Sequence, residues 1–184
     1  WPAMKVRAAR GLPDFLRALG YRNFRFYFLG QAVSILGSWI QQVALAWLVY
    51  RLTGSAALLG ATAFCALIPQ LLVGPLAGAW IDKQDKRKWL IAIQFLLALQ
   101  AFVLAALTWS GQIGTGLIIG MSLVLGVLNS FDTPLRQSLI SNFVGRRADL
   151  PNALALNAML FNAGRFVGPP IAGLLVGLTS EAAC

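Results

Sequence analysis

Long apolar stretches, each separated from the next by a short polar or charged connection, dominate this sequence. Five of them reach about 20 mostly apolar residues, the length that an α-helix needs to cross the hydrocarbon core of a bilayer. They lie at about residues 24–50, 56–81, 89–109, 116–140 and 151–178. Short connections make consecutive helices antiparallel neighbours. The pattern therefore predicts an all-α membrane protein with five transmembrane helices.

This pattern divides the chain into a basic N-terminal segment over residues 1–22 and a transmembrane bundle over residues 23–184. The first apolar stretch is too long for a secretory signal and has no small-residue cleavage site. The sequence begins with Trp1 and stops just after an apolar stretch, so both ends are interpreted as truncations.

Composition agrees with a membrane protein and disfavours an enzyme. The chain is 58% hydrophobic and 11% charged, whereas soluble domains average roughly a quarter charged residues. It has no His and only 6 Asp and Glu, mostly in connections. Acid–base and metal chemistry need clusters of such residues, and Cys65 and Cys184 suit neither a disulfide framework nor a metal site. We therefore expect no cofactor, no metal and no catalytic site.

The positive charge is concentrated in three regions. Most of the 15 Lys and Arg lie in the N-terminal segment, between spans two and three, or between spans four and five. A nucleic-acid interface would instead spread them along a polar groove with stacking aromatics. Lys and Arg are enriched in the cytoplasmic loops of membrane proteins. This predicts a multi-pass membrane protein with a cytoplasmic N-terminus, and no nucleic-acid partner.

The connection between spans two and three combines a glycine, an aspartate four residues later, and basic residues: Gly78, Asp82, Lys83, Arg87 and Lys88. Gly78 would allow close approach between spans, and Asp82 could accept hydrogen bonds from a neighbouring helix N-terminus. These residues form a candidate gating loop. The alternative is a simple topology anchor, in which the basic residues only hold the loop near anionic lipid.

Span five carries a Gly-Pro pattern formed by Gly164, Gly168, Pro169 and Gly173. Glycines three to four residues apart allow tight helix packing. Pro169 removes a backbone hydrogen bond and is expected to bend the helix. The pattern predicts a closely packed, bent fifth helix.

These two patterns resemble motifs of the major facilitator superfamily. The gating loop is similar to the loop between helices two and three of that family, which latches the cytoplasmic side, although Asp85 replaces its second glycine. The Gly-Pro pattern is similar to a helix-five motif associated with antiporters, although Ala155 replaces an upstream glycine and Pro170 doubles the proline. Further segments resemble a bacterial exporter subfamily that includes siderophore and multidrug exporters, and they lie at residues 21–25, 37–39, 52–55 and 129–137.

The resemblance implies most of the N-terminal six-helix half of a major facilitator fold. It also implies a secondary transporter that exports a small amphipathic molecule by alternating access, with proton coupling. The expected partners are the lipid bilayer, the C-terminal half of the same transporter, a small-molecule substrate and protons. The alternative is a non-functional or partial gene product with only a structural role in the membrane.

Ionisable side chains inside spans are costly and indicate function by default. Asp132 and Arg165 are the two clear cases. One hypothesis is that they pair, or share a polar network with Asn129. The other is that Asp132 caps a helix break at Pro134 and pairs locally with Arg136.

Span one carries polar residues at spacings that put them on one helix face, and they are Gln31, Ser34, Ser38, Gln41 and Gln42. This face is predicted either to line a central cavity or to form interhelical hydrogen bonds, which average about 0.6 kcal/mol. Gln70, Gln94 and Gln100 are further candidates on spans two and three.

Overall fold

Five long helices make up most of the computed structural model, which describes residues 14–144 and 147–181. A 3-10 helix (Asp14–Gly20) precedes α1, and a short 3-10 turn (Arg147–Asp149) precedes α5. The long helices are α1 (Arg22–Thr53), α2 (Ala56–Ile81), α3 (Lys86–Trp109), α4 (Thr115–Phe143) and α5 (Leu150–Leu178). The basic residues Lys5, Arg7, Arg10 and Arg146, and also Cys184, lie outside the described residues.

All five helices are long and apolar enough to cross a membrane. Only 11% to 28% of each helix's most apolar window is buried inside the bundle. Large apolar side chains such as Leu71, Phe102 and Phe166 point outward, which water would disfavour and lipid does not. The all-α membrane fold predicted from the sequence is therefore confirmed.

The connections are built from recognisable caps and turns. Gly54 has a φ of 60°, a left-handed conformation that glycine adopts without steric cost. The Ser55 side chain accepts a hydrogen bond from the Leu58 amide and caps α2, and Asp85 accepts from the Lys88 amide and caps α3. Because these turns are short, each helix runs opposite in direction to its predecessor. Consecutive helices are nevertheless not always neighbours, since α1 packs mainly on α5 and α2 mainly on α4.

Odd-numbered helices α1 and α5 pack side by side and run parallel. Phe24 near the start of α1 belongs to the same apolar cluster as Ala153 and Leu156 near the start of α5. Further along, Ile35 and Trp39 of α1 lie against glycines of α5. This pair forms one layer of the bundle.

The helices α2, α3 and α4 form the second layer, with α4 between α2 and α3. Gly126 of α4 lies against Ala66 and Pro69 of α2, and the rings of Trp80 and Phe131 meet 6.1 Å apart nearer the other end. The helices α2 and α4 are therefore parallel. Ile93 of α3 packs with them in a shared apolar cluster.

The alternating directions bring the basic segments to one end of the bundle, called here the basic end. The N-terminal 3-10 helix is fixed there to the α4–α5 connection, since Tyr21 donates to Asp149 at 2.6 Å and the Ala18 amide donates to Asn152 at 2.9 Å. The α2–α3 loop lies at the same end. A separate apolar cluster of Leu48, Val49 and Ile118 closes the opposite end.

The prolines within α4 and α5 do not interrupt these helices. The helix α4 continues through Pro134, and α5 continues through Pro169 and Pro170. The predicted break at Pro134 is therefore wrong. Neighbouring helices and local adjustments can re-satisfy the backbone group that a proline frees inside a membrane bundle. The bend expected at Pro169 stays a prediction.

Candidate functional site

A buried ion pair lies at the centre of the bundle. Asp132 and Arg136 are one turn apart on α4, and the Arg136 Nε donates to the Asp132 carboxylate. Their side chains are only 11% and 12% exposed. The other carboxylate oxygen of Asp132 accepts from the Gln94 amide of α3 at 2.8 Å.

The same arginine also binds α1. Its two terminal nitrogens donate to the Gln31 carbonyl oxygen and, at 2.9 Å, to the Ser34 hydroxyl. The Ser34 hydroxyl is in turn 3.5 Å from the Gln94 side chain. These five residues, called here the central network, link α1, α3 and α4 through one connected set of polar contacts: Gln31, Ser34, Gln94, Asp132 and Arg136.

A second polar contact joins α1 and α3 nearer the opposite end. Gln41 donates to Gln100 at 3.0 Å, and Gln100 reaches the Met121 carbonyl of α4 at 3.5 Å. Polar side chains on α1 therefore make interhelical hydrogen bonds, one of the two alternatives that the sequence left open. Ser38 and Gln42 are exposed on α1, and the Ser38 hydroxyl donates to the Ser34 carbonyl of its own helix.

The central network meets the conditions for burying charge. An isolated buried charge is very costly, whereas a paired one with its remaining donors and acceptors satisfied is tolerated. Arginine suits this position because its planar guanidinium presents several donors in fixed directions. Here the fork binds a carboxylate, an amide and a hydroxyl on two helices. Moving α1 relative to α4 would break these contacts together.

Tyr27 is a neighbour of this network that the sequence did not indicate. Its ring lies 5.1 Å from that of Phe143. Its hydroxyl is buried and has no hydrogen-bond partner in the described structure, as is also true of the Asn157 side-chain oxygen. Buried polar atoms without partners are uncommon in native structures. An aromatic residue in an apolar segment gives no sequence signal for such a position.

Arg165 and Asn129 do not belong to the central network, although one hypothesis from the sequence placed both with Asp132. Arg165 is exposed near the middle of α5 and forms neither an ion pair nor a hydrogen bond with the described residues. Asn129 is half-buried, with no side-chain hydrogen bond in that same part of the chain. The predicted pair between Asp132 and Arg165 is therefore wrong. Arg136 is only one helical turn from Asp132, so the local pair forms without bringing two helices together.

At the basic end, the gating-loop residues are largely exposed. Asp82 binds Lys86 at 3.0 Å instead of accepting from a helix N-terminus, which is the role that Asp85 takes in its place. A Cβ added at Gly78 would meet nothing within 4 Å, so the close approach expected there does not occur in the described bundle. Lys83, Arg87 and Lys88 are exposed, and the Lys88 ammonium lies 3.7 Å from Asp85.

Of the glycines in the Gly-Pro pattern of α5, two are closely packed against α1 and one is not. A Cβ at Gly164 would lie 2.3 Å from Ile35, and one at Gly168 would lie 2.5 Å from Trp39. These two glycines let α5 approach α1 closely. Gly173 has nothing within 4 Å in the described bundle, so the tight packing expected there is absent. Gly126 of α4, which the sequence did not single out, makes a similar close contact with α2.

Membrane-spanning helices that enclose a satisfied network of charged and polar side chains are typical of membrane transport proteins. A family model described as transmembrane secretion effector, within the major facilitator superfamily, matches residues 16–184. The chain therefore belongs to this family of membrane transporters, which are not enzymes.

Several characterised proteins are similar to this chain. A staphyloferrin A transporter of Staphylococcus aureus is 32% identical over 158 residues, which cover 84% of this chain and 39% of that protein. Macrolide efflux protein A of Streptococcus pyogenes is 24% identical over 159 residues, and multidrug efflux pump Tap of Mycolicibacterium fortuitum is 27% identical over 144 residues. The chain thus spans about two fifths of the length of these relatives, with 39% covered in the first. No solved structure matches it.

Proposed function

We propose that this chain forms most of the N-terminal half of a proton-coupled exporter. The exporter would move a small amphipathic molecule across the bacterial inner membrane by alternating access, and the C-terminal half would complete it. The similarity to a macrolide efflux protein and a multidrug efflux pump supports an export role, and the similarity to a staphyloferrin A transporter supports transport of a small molecule. The concentration of basic residues at one end supports a cytoplasmic N-terminus.

The central network is the observation that carries this proposal. Among the described residues, Asp132 is the one carboxylate that lies well inside a span, about 17 Å from the end of α4 at 1.5 Å per residue. A proton arriving on Asp132 neutralises the carboxylate and removes its attraction for Arg136. The guanidinium is then free to change partners. Since the same guanidinium donates to Gln31 and Ser34, a change of its partners breaks these contacts between α1 and α4.

The remaining predicted residues have supporting roles. Gly164 and Gly168 allow α1 and α5 to pack closely, so these two helices would move together as one rigid unit when the two halves of the transporter rock. Gly78, Asp82, Lys83, Arg87 and Lys88 lie where a latch to the second half would act, at the basic end. Gln41, Ser38 and Asn129 lie along the faces of α1 and α4 available to line a central path.

Transport by the full-length protein in proteoliposomes tests this proposal. We expect an imposed proton gradient to drive export by the wild type of at least one dye from a panel of anionic, neutral and cationic fluorescent dyes. Asp132→Asn should abolish this gradient-driven transport and leave exchange of the same dye between the two sides in the absence of a gradient.

A matched control is Asp85→Asn, which makes the same chemical change in the loop. Asn caps helices about as well as Asp, so this variant should keep both activities. Gradient-driven transport that survives Asp132→Asn at the wild-type rate would refute a coupling role for this carboxylate. Absence of any transport by the wild type across a broad dye panel would refute the exporter itself.

A further inference from the structure

Arg165 is a charged residue in the middle of a membrane span whose partner is missing from the described chain. It lies about 22 Å from the start of α5 at 1.5 Å per residue. Its side chain is exposed and forms no hydrogen bond or ion pair with the described residues. An arginine at that depth is costly and almost always faces a bundle interior or an aqueous cavity, where an anion or polar group binds it.

Helix geometry places Arg165 on the side of the bundle that carries the polar face of α1. The helices α1 and α5 are parallel and touch through Ile35 and Trp39 on one side and Gly164 and Gly168 on the other. In a parallel pair of helices, the residue that precedes a contact residue on the first helix lies on one side of the helix–helix interface. The residue that follows a contact residue on the second helix lies on that same side, as g and e positions do in parallel coiled coils. Ser34 and Ser38 precede the contact residues of α1, and Arg165 follows Gly164.

The charges inside the spans do not balance. Asp132 already binds Arg136, and both are buried. Arg165 is therefore an uncompensated positive charge among the described span residues. It shares its side of the α1–α5 pair with the Ser34 and Ser38 hydroxyls, and Ser38 is exposed. The Ser38 hydroxyl already donates to the Ser34 carbonyl, so the Arg165 guanidinium makes this side electropositive and supplies its free N–H donors.

We propose that Arg165 binds an anionic group, most simply a carboxylate, on the transported molecule. The guanidinium fork matches a carboxylate with two parallel hydrogen bonds. This inference rests on the proposed export function and adds the chemical class of the substrate. The role belongs to Arg165 because Arg136 is already occupied by three partners.

Two dyes that share a xanthene core provide the test: carboxyfluorescein is anionic and rhodamine 123 is cationic. The full-length protein is reconstituted in vesicles of zwitterionic lipid, and export of each dye is measured. We expect the wild type to export carboxyfluorescein. Arg165→Gln should slow this export about tenfold or more, the equivalent of one charge-assisted hydrogen bond, and Arg165→Lys should slow it less. Rhodamine 123 export should be unchanged or faster in Arg165→Gln.

Arg147→Gln is the matched control, since it removes the same charge from an exposed position at the basic end and should leave both dyes unaffected. Equal slowing of both dyes by Arg165→Gln would overturn the proposal and point to a partner within the remaining part of the protein. Export of rhodamine 123 without carboxyfluorescein would also overturn it, while leaving the exporter function intact. Export of neither dye by the wild type would overturn this proposal, whereas the exporter function is rejected only when no dye of the broad panel is transported.

Discussion

Arg136 makes hydrogen bonds to more side chains in the polar interior than any other described residue. It contacts Asp132, Gln31 and Ser34, and so connects two helices. The sequence placed Gln31 and Ser34 correctly on one helix face, because a spacing of three to four residues fixes that geometry. It left the partner of Asp132 open, since two arginines were available and sequence spacing does not say which way a side chain turns across a bundle.

Removing Arg136 should expose the cost of burying Asp132 alone. We expect Arg136→Gln to lower the free energy of unfolding by about 3 kcal/mol, the scale measured when one partner of a buried pair is lost. The double variant Asp132→Asn/Arg136→Gln should recover much of this loss, because no uncompensated charge remains. Thermal or denaturant unfolding of the purified full-length protein in detergent measures both. A double variant no more stable than Arg136→Gln would contradict the ion-pair account.

The Tyr27 hydroxyl should contribute little to stability. It is buried without a partner, so its removal costs no hydrogen bond and relieves a desolvation penalty. Tyr27→Phe is therefore expected to unfold at the same temperature as the wild type or a higher one. Loss of about 1 kcal/mol or more in this variant would instead reveal a partner for the hydroxyl.

At the scale of helices, the sequence was most informative about where each element lies. The bilayer sets a minimum helix length, so apolar stretches and charged interruptions indicate spans, and α1 extends only a few residues beyond the predicted range. Which glycines make close contacts was less predictable. Gly164 and Gly168 meet α1, but Gly173 meets nothing and Gly126 was missed, because contact depends on which face the neighbouring helix covers.

Alanine substitutions on α5 test which of its glycines contact α1. A Cβ at position 168 would lie 2.5 Å from the Trp39 Cβ, an atom close to the backbone that has little freedom to move. We expect Gly168→Ala to destabilise the protein by about 1–3 kcal/mol through overpacking. On the same helix, Gly173→Ala should be neutral, or stabilising by up to about 1 kcal/mol, since alanine favours helices. Unfolding of the two variants side by side is the measurement, and equal effects would contradict the contact assignment.

For the whole molecule, alternating helix directions place the basic segments at one end, as the antiparallel pattern required. The short turns at Gly54 and Gly111 leave no other arrangement of neighbouring spans. Orientation relative to the membrane depends on the positive-inside rule alone. The distance between Asp132 and Arg165 was not predictable, because it depends on how the α1–α5 and α2–α3–α4 layers meet.

Cysteine labelling tests the orientation in a background of the full-length protein from which the native cysteines, Cys65 and Cys184 among them, have been replaced by alanine. We expect Gln112→Cys, in the α3–α4 turn, to react with a membrane-impermeant maleimide on intact cells. Gln84→Cys, in the α2–α3 loop, should react only after the membrane is permeabilised. The reverse labelling pattern would place the N-terminus outside.

The central claim is that proton binding at Asp132 releases Arg136 and so loosens α1 from α4. Proton exchange measures it most directly: a pH indicator records protons taken up or released when a substrate identified in the transport assay is added to the purified full-length protein in weakly buffered detergent. We predict a proton change in the wild type and in Asp85→Asn, and none in Asp132→Asn. A proton change of the same size in Asp132→Asn would contradict the account.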